Sequence, residues 1–390
     1  MGDKPGTKAR TGTRAKRAPG PADEVAAAGG SNDFVQLLTP DGERVEHPEY
    51  SLDLTDEEYR GLYRDMVIVR RLDSESTALQ RQGHLGIWAS LEGQEAAQIG
   101  SGRALRRQDM AFPTYREHGV LWCRGVDPTG PHGLFKGVNH GAWDGVQHGA
   151  NLYTLVIGAQ TLHAVGYAMG ITFDGKVGTD DGEAVVAYYG DGASSQGDVH
   201  EACVFAGVYH APVVFFCQNN QYAISEPVEK QTRTPIYKRA EGYGFPGVRV
   251  DGNDVLACFA VTRHALDAAR HGQGPTLIEA FTYRMGAHTT TDDPTRYRIA
   301  SEVEAWRQRD PIMRFRLFLG KQGLADDDFF ATIDADADRI CGRLREYVIG
   351  LPDPAPDAFF NHVYADGAPL QEEQRAWFHE YQASFAGEEA

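Results

Sequence analysis

The sequence predicts an α/β protein: a parallel β-sheet with helices on both faces, preceded by N-terminal helices and followed by a helical C-terminal extension. Three observations carry this expectation. From residue 152 onward, short β-branched or aromatic runs alternate with helical segments, the pattern of parallel strands joined by crossover helices. Residues 55–82 hold apolar side chains at helical spacing. Residues 311–390 read as amphipathic helix, suited to packing and subunit contacts rather than chemistry.

Taken in order, residues 1–31 are rich in Gly, Ala, Pro, Lys and Arg with almost no large apolar side chain. Such a segment cannot offset its ordering entropy, so a disordered basic arm is expected. Its cations (Lys4, Lys8, Arg10, Arg14, Lys16, Arg17) read first as a solvated tail, with an acidic docking partner or a targeting peptide as the alternatives. Thr55 is an apt N-cap for the first helix, because Glu58 three residues on completes a capping box. Further helices are expected up to about 125, and the Gly- and His-rich stretch 126–151 reads as loop. Strands follow in "EAVVAYYG" (183–190), "PVVFFCQNN" (212–220), "GVRVDG" (247–252) and "PTLIEAFTYR" (275–284), with helices over 193–209 and 254–271 between them. The expected organisation is one α/β domain over 32–310 and, over 311–390, a helical extension of the same unit.

Composition narrows the function. The 390 residues are 42% hydrophobic and 24% charged, ample for a large core. A net charge of −17 argues against a nucleic-acid partner, since phosphate backbones attract basic faces. No apolar run is long enough for a membrane helix, and no apolar leader opens the chain. The five cysteines are widely spaced and form no C-x-x-C pair, which points to a reducing, cytoplasmic setting.

The chemistry is expected where two consecutive strands end. A right-handed β-α-β crossover brings both carboxyl ends to the same edge of the sheet, where open α/β proteins bind ligands. Here those ends are Gly190-Asp191-Gly192 and Asn219-Asn220. A carboxylate, an amide oxygen and a helix N-terminus near Ala193 suit a diphosphate bridged by a divalent metal, magnesium in particular. The glycines permit close approach of a phosphate to the backbone. Taken alone, Asp191 reads equally well as a turn and Asn219-Asn220 more readily as one; their joint position makes the site. Two decoys fall away. "GYGFPG" (242–247) precedes a strand instead of following one, and in "GITFDGKV" (170–177) Val177 stands where a P-loop needs Ser or Thr. Neither H-E-x-x-H nor G-x-S-x-G occurs.

G-D-G followed at an interval by N-N is similar to the thiamine diphosphate signature, and Asp191 and Asn220 stand 220 − 191 = 29 positions apart. From about Leu54 to the C-terminal region the chain resembles the alpha subunit of the decarboxylating first component of 2-oxo acid dehydrogenase complexes. The landmarks are "RQGHLGIWASLEGQEAAQIG" (81–100), "PTYREHGV" (113–120), "IGAQ" (157–160), "GDGASSQGD" (190–198), "FFCQNNQYAIS" (215–225) and "YRMGAHTTTDDPTRYR" (283–298). The resemblance implies a thiamine diphosphate-binding fold. It implies magnesium held by Asp191, Asn220 and the carbonyl of Tyr222, and diphosphate met by Gly190, Gly192, Ala193, Tyr115 and Arg116. The backbone near Leu155 and Ile157 would meet the aminopyrimidine ring. His288 would stabilise the first adduct and assist proton transfer to a lipoyl sulfur, with Arg284 ordering its loop. The implied reaction is decarboxylation of a 2-oxo acid and transfer of the acyl group to a lipoyl-bearing second component. The glutamate that activates the cofactor would come from a separate beta subunit in an α2β2 assembly, so this chain alone is expected to be nearly inactive.

Three positions depart from animal relatives of the resembled family. Thr289 replaces a phosphorylated serine, Gln218 replaces an arginine near the phosphates, and Ala159 lacks the hydroxyl of a potassium site. The expected substrate-pocket residues are Ile87, Trp88 and Thr114. The paired Asp292-Asp293 resembles branched-chain enzymes, and "QRQGHLGIW" and "DDPTRYR" resemble bacterial pyruvate enzymes equally; a branched-chain 2-oxo acid is the expected substrate, with pyruvate as the alternative. Acetoin cleavage and a non-catalytic scaffold are the more distant alternatives. One methylene changes pocket affinity by only about 1–3 kcal/mol.

Overall fold

The computed structural model describes residues 34–179, 181–361 and 363–385. The basic arm expected over 1–31 lies outside the described residues. The strands are β1 (Phe34–Val35), β2 (Met110–Phe112), β3 (Val185–Gly190), β4 (Val213–Asn219), the hairpin strands β5 (Tyr222–Ala223) and β6 (Glu226–Pro227), β7 (Gly247–Asp251) and β8 (Thr276–Phe281). All but the hairpin form one six-stranded parallel sheet in the order β1-β7-β8-β4-β3-β2. Four neighbours, β8, β4, β3 and β2, therefore end side by side on one edge. The expected strands all form. β1 and β2 were not foreseen, because runs of two and three residues carry no readable period.

The principal helices are α1 (Asp56–Arg81), α2 (Glu95–Ala104), α3 (His118–Cys123), α4 (Ala159–Phe173), α5 (Gly197–Tyr209), α6 (Val255–Arg270), α7 (Ala300–Arg307), α8 (Pro311–Lys321), α9 (Asp327–Gly350) and α10 (Pro369–Phe385). Thr55 closes the expected capping box: Glu58 N–H donates to its Oγ1 at 3.3 Å and its own N–H donates to Glu58 Oε2 at 2.8 Å. A cap of this kind is worth about 1 kcal/mol. Two expectations need correction. The stretch read as loop contains the short helices Thr129–Lys136 and Gly145–His148, the second capped by the Asp144 side chain. The helix expected from 193 begins as a 3₁₀ turn, Gly192–Ser195, and becomes α-helical only at Gly197 after extended Gln196.

Because side chains alternate along a strand, the sheet divides its residues between two cores. Val186, Tyr188, Val214, Phe216 and Ile278 pack with α1, α2, α6, α8 and α9. Val185, Ala187, Tyr189, Val213, Phe215 and Cys217 pack with α4 and α5. The C-terminal helices α8 and α9 thus bury Phe315, Phe318, Ile333, Ile340 and Leu344 in the same core as Met66 and Ile68. On the other face the cover is one helix deep, and α4 and α5 turn apolar side chains outward. Phe173 is 74% and Val208 70% exposed, with Leu162, Tyr167, Phe205 and Tyr209 beside them on the same helices. Among the described residues, no helix is long and apolar enough to cross a membrane.

Candidate active site

At the edge where β2, β3, β4 and β8 end lies a cavity of about 270 Å³. Each strand delivers part of its wall. Thr114, Tyr115 and Arg116 follow β2; Gly190 ends β3 and Asp191 to Ala193 follow it; Asn220 and Tyr222 follow β4; Arg284 and His288 follow β8. A Cβ built on Gly190 meets nothing, so that glycine leaves open space. A Cβ on Gly192 would come within 2.7 Å of the Ala223 Cβ, so the hairpin can approach only because residue 192 has no side chain.

Asp191 is 1% exposed. Burial pushes its carboxyl above the usual range, and hydrogen bonding from Gln231 and the nearby Arg284 pull it back. Its Oδ1 accepts from the Asn220 backbone N–H at 3.3 Å and its Oδ2 from Gln231 Nε2 at 3.1 Å. Asn220 donates Nδ2 to Gln94 Oε1 at 3.1 Å. That turns its Oδ1 toward Asp191 Oδ1 and the Tyr222 carbonyl oxygen, at 3.2 and 3.1 Å. In that orientation three buried oxygens face one another, with Asn220 Oδ1 also accepting the Tyr222 N–H at 3.3 Å; turned over, the Asn220 amide would donate to the other two. A small hard cation resolves such a cluster, and one carboxylate with neutral oxygens is the donor set magnesium takes when phosphate completes its shell. The residues fit magnesium.

The hairpin that supplies the Tyr222 carbonyl is strained. Gln221 and Ile224 have φ of 75° and 56°, and a β-branched residue in the left-handed region costs about 1–3 kcal/mol. Fully buried Arg284 holds it there, donating Nη1 to Tyr222 O and Nη2 to Ile224 O, each at 2.8 Å. Arg284, expected to order the His288 loop, clamps this hairpin through both bonds.

His288 sits across the cavity on the loop after β8. Arg116 Nη2 donates to its carbonyl oxygen at 2.8 Å and to its Nδ1 at 3.2 Å, and Arg116 Nη1 donates to Ser90 O. A guanidinium can only donate, so Nδ1 is the acceptor and the neutral ring carries its proton on Nε2. Burial, then Arg116 and Arg284, lower its pKa to about 3, against a weak pull from Asp292. The loop is pinned along its length. His288 N–H donates to Asp292 Oδ2 at 2.9 Å, Thr290 N–H donates to Trp88 O at 2.9 Å, and Arg298 Nη2 donates to Met285 O and Gly286 O at 2.8 Å.

Thr114, Tyr115, Ile157 and Ala193 line the cavity as expected, whereas three other expected residues do not. Trp88 is buried behind the site: its Nε1 donates to Asp73 at 2.7 Å and its ring stacks between His118 and His132, 4.2 and 4.7 Å away. Its backbone N–H, donated to Thr290 Oγ1 at 3.0 Å, is what reaches the His288 loop. Ile87 and Leu155 are 41% and 55% exposed and outside the cavity wall. Residues that sequence reasoning missed are Gln94, Glu117, Ile224 and Gln231. Glu117 is buried, its carboxyl raised by burial, and it accepts from Thr114 and from Gln218 Nε2 at 2.6 Å. "GQEA" and "REHG" have no spacing that marks these side chains.

Similarity to known proteins agrees with this geometry. The family model for the dehydrogenase E1 component matches residues 63–346. A 3-methyl-2-oxobutanoate dehydrogenase subunit alpha from Mycobacterium tuberculosis is 48% identical over 342 residues, 87% of this chain and 92% of that protein. Pyruvate dehydrogenase E1 component alpha subunits are 42% identical in Bacillus subtilis, over 77% of this chain and 80% of that protein. In Staphylococcus aureus the identity is 41%, over 76% and 79%. With its carboxyl-edge cavity and a family match spanning five of the six sheet strands and most of its helices, the chain belongs to the dehydrogenase E1 component family.

Proposed function

We propose that the chain is the alpha subunit of a 2-oxo acid dehydrogenase first component and that its preferred substrate is a branched-chain 2-oxo acid such as 3-methyl-2-oxobutanoate. The observation that carries this reading is the three-oxygen cradle of Asp191, Asn220 and Tyr222, facing His288 across one cavity. Those three residues would hold magnesium, and Gly192, Ala193, Tyr115 and Arg116 would meet the diphosphate. When bound, thiamine diphosphate supplies the nucleophilic carbon and the electron sink that decarboxylation requires. The protein's own part is orientation and proton placement. His288, neutral with its proton on Nε2, can donate that hydrogen bond to an oxygen on which charge develops. Thr114 and Ile157 line the same cavity and would border the substrate.

The cavity's carboxylates among the described residues are Asp191 and Glu117, both engaged in hydrogen bonds. This supports a beta subunit as the source of the cofactor-activating glutamate, in an α2β2 assembly that passes its acyl group to a lipoyl-bearing second component. All five cysteines are free thiols, in keeping with the reducing cytoplasm.

The M. tuberculosis relative favours the branched substrate, and the two pyruvate dehydrogenase relatives favour pyruvate as the second reading. The test is kcat/KM for 3-methyl-2-oxobutanoate and for pyruvate, using the chain co-expressed with its beta partner. We expect at least about a tenfold preference for the branched acid, about 1.4 kcal/mol in transition-state binding. The opposite preference sinks the substrate assignment, and activity on neither sinks the enzymatic one.

A further inference from the structure

We infer that Gln94 is the positioning residue that sets the amide of Asn220 for cation binding and couples it to the diphosphate. The inference rests on the reading of this cavity as a magnesium and diphosphate site. Gln94 is fully buried, stands immediately before α2 and lines the cavity. Its Oε1 accepts from Asn220 Nδ2 at 3.1 Å, and its own Nε2 is buried with no partner among the described residues.

An amide has a donor end and an acceptor end, so the two side chains turn together. In one arrangement Asn220 gives its N–H to Gln94 and presents Oδ1 to Asp191 and Tyr222 O, completing the three-oxygen cradle. Turned over, Asn220 would donate to Asp191 Oδ1 and Tyr222 O, and the cradle would be closed to a cation by its own hydrogen bonds. Gln94 would then have to turn as well, presenting Nε2 to Asn220. Gln94 thus locks the two amides together, and the open cradle goes with its acceptor turned toward Asn220. That arrangement also leaves Gln94 Nε2 as a buried donor without an acceptor, which is unfavourable until one arrives. A phosphate oxygen in the cavity would supply it. Cation and phosphate thus favour the same pair of amide orientations.

The test uses the complex of this chain with its beta partner, stripped of cofactor. Magnesium is titrated at fixed thiamine diphosphate, with uptake followed by quenching of tryptophan fluorescence. Gln94→Leu removes the acceptor and should weaken apparent magnesium affinity about 10- to 100-fold. Gln94→Glu keeps an acceptor for Asn220 and should hold magnesium affinity within about threefold of the original, although it has lost the donor. Equal affinity in Gln94→Leu and the unaltered complex overturns the inference, as does an equal loss in both variants. If the unaltered complex shows no magnesium-dependent uptake, the reading of the site fails first and this inference with it.

Discussion

The two rims of the cavity are built differently. Asp191 and Asn220 leave adjacent paired strands, with Gly190 in register with Gln218, so the sheet itself fixes their separation. His288 stands 288 − 281 = 7 residues beyond the end of β8, on a loop held by side-chain and backbone bonds from Arg116, Trp88, Asp292 and Arg298. The first rim borrows its rigidity from the central sheet, and the second depends on contacts that can open locally. The strand rim is suited to binding a charged group in fixed geometry. The loop rim is suited to placing a proton donor that must meet a substrate and then release a product.

The largest expected effect falls on the strand rim. Asp191→Ala removes the one carboxylate of the cradle, and loss of one partner from a buried charge pair costs about 3–5 kcal/mol. Magnesium-dependent cofactor binding, read by calorimetry on the complex, should weaken about 10³-fold. His288→Ala should lower kcat by about 10²–10⁴-fold, the range for a positioned proton donor, while cofactor affinity stays within about threefold. If His288→Ala abolishes cofactor binding as Asp191→Ala does, the rims are not separable and the comparison collapses.

A smaller effect concerns acid. His118 backs the loop rim, donating Nε2–H to Ala89 O at 2.9 Å and accepting from the Tyr153 hydroxyl at 2.6 Å. Burial lowers its pKa to about 3, from an ordinary value of 6.5. The folded ring therefore stays neutral while the unfolded ring takes up a proton as pH falls through 6.5. Stability conferred by this group is full above about 6.5 and declines toward 3, by up to about 1.4 kcal/mol per pH unit. Urea unfolding at pH 7 and pH 5 should show a shallower decline in His118→Gln. An identical decline would remove His118 as the source.

The same contrast explains what the sequence made legible. Two apolar runs ending in Gly-Asp-Gly and Asn-Asn state their own geometry, because a right-handed crossover leaves one arrangement for their ends. Trp88 shows where reading fails. Its neighbours His84 to Ile87 look like a pocket wall in one dimension, yet Asp73, fifteen residues upstream on α1, draws the indole into the core. Gln94 and Gln231 were illegible for a related reason: an amide that orients a ligand is defined by partners 126 and 40 residues away. The strain at Ile224 was also hidden, since the Arg284 clamp that sustains it lies 60 positions along the chain.

The outward apolar faces of α4 and α5 have a consequence for how the protein is made in the cell. Val208 and Phe173 stand in water only as long as nothing covers them, and exposed patches of that kind drive association of whichever surfaces meet first. A beta partner docked on this face would compete there with other copies of the same chain, and the winner would depend on relative supply. Balanced synthesis of the two subunits would then be a condition for a soluble product. Chain produced without its partner should accumulate largely as aggregate in a sedimentation assay, and Val208→Asp should return it to the supernatant. A fully soluble lone chain would show that the surface needs no cover.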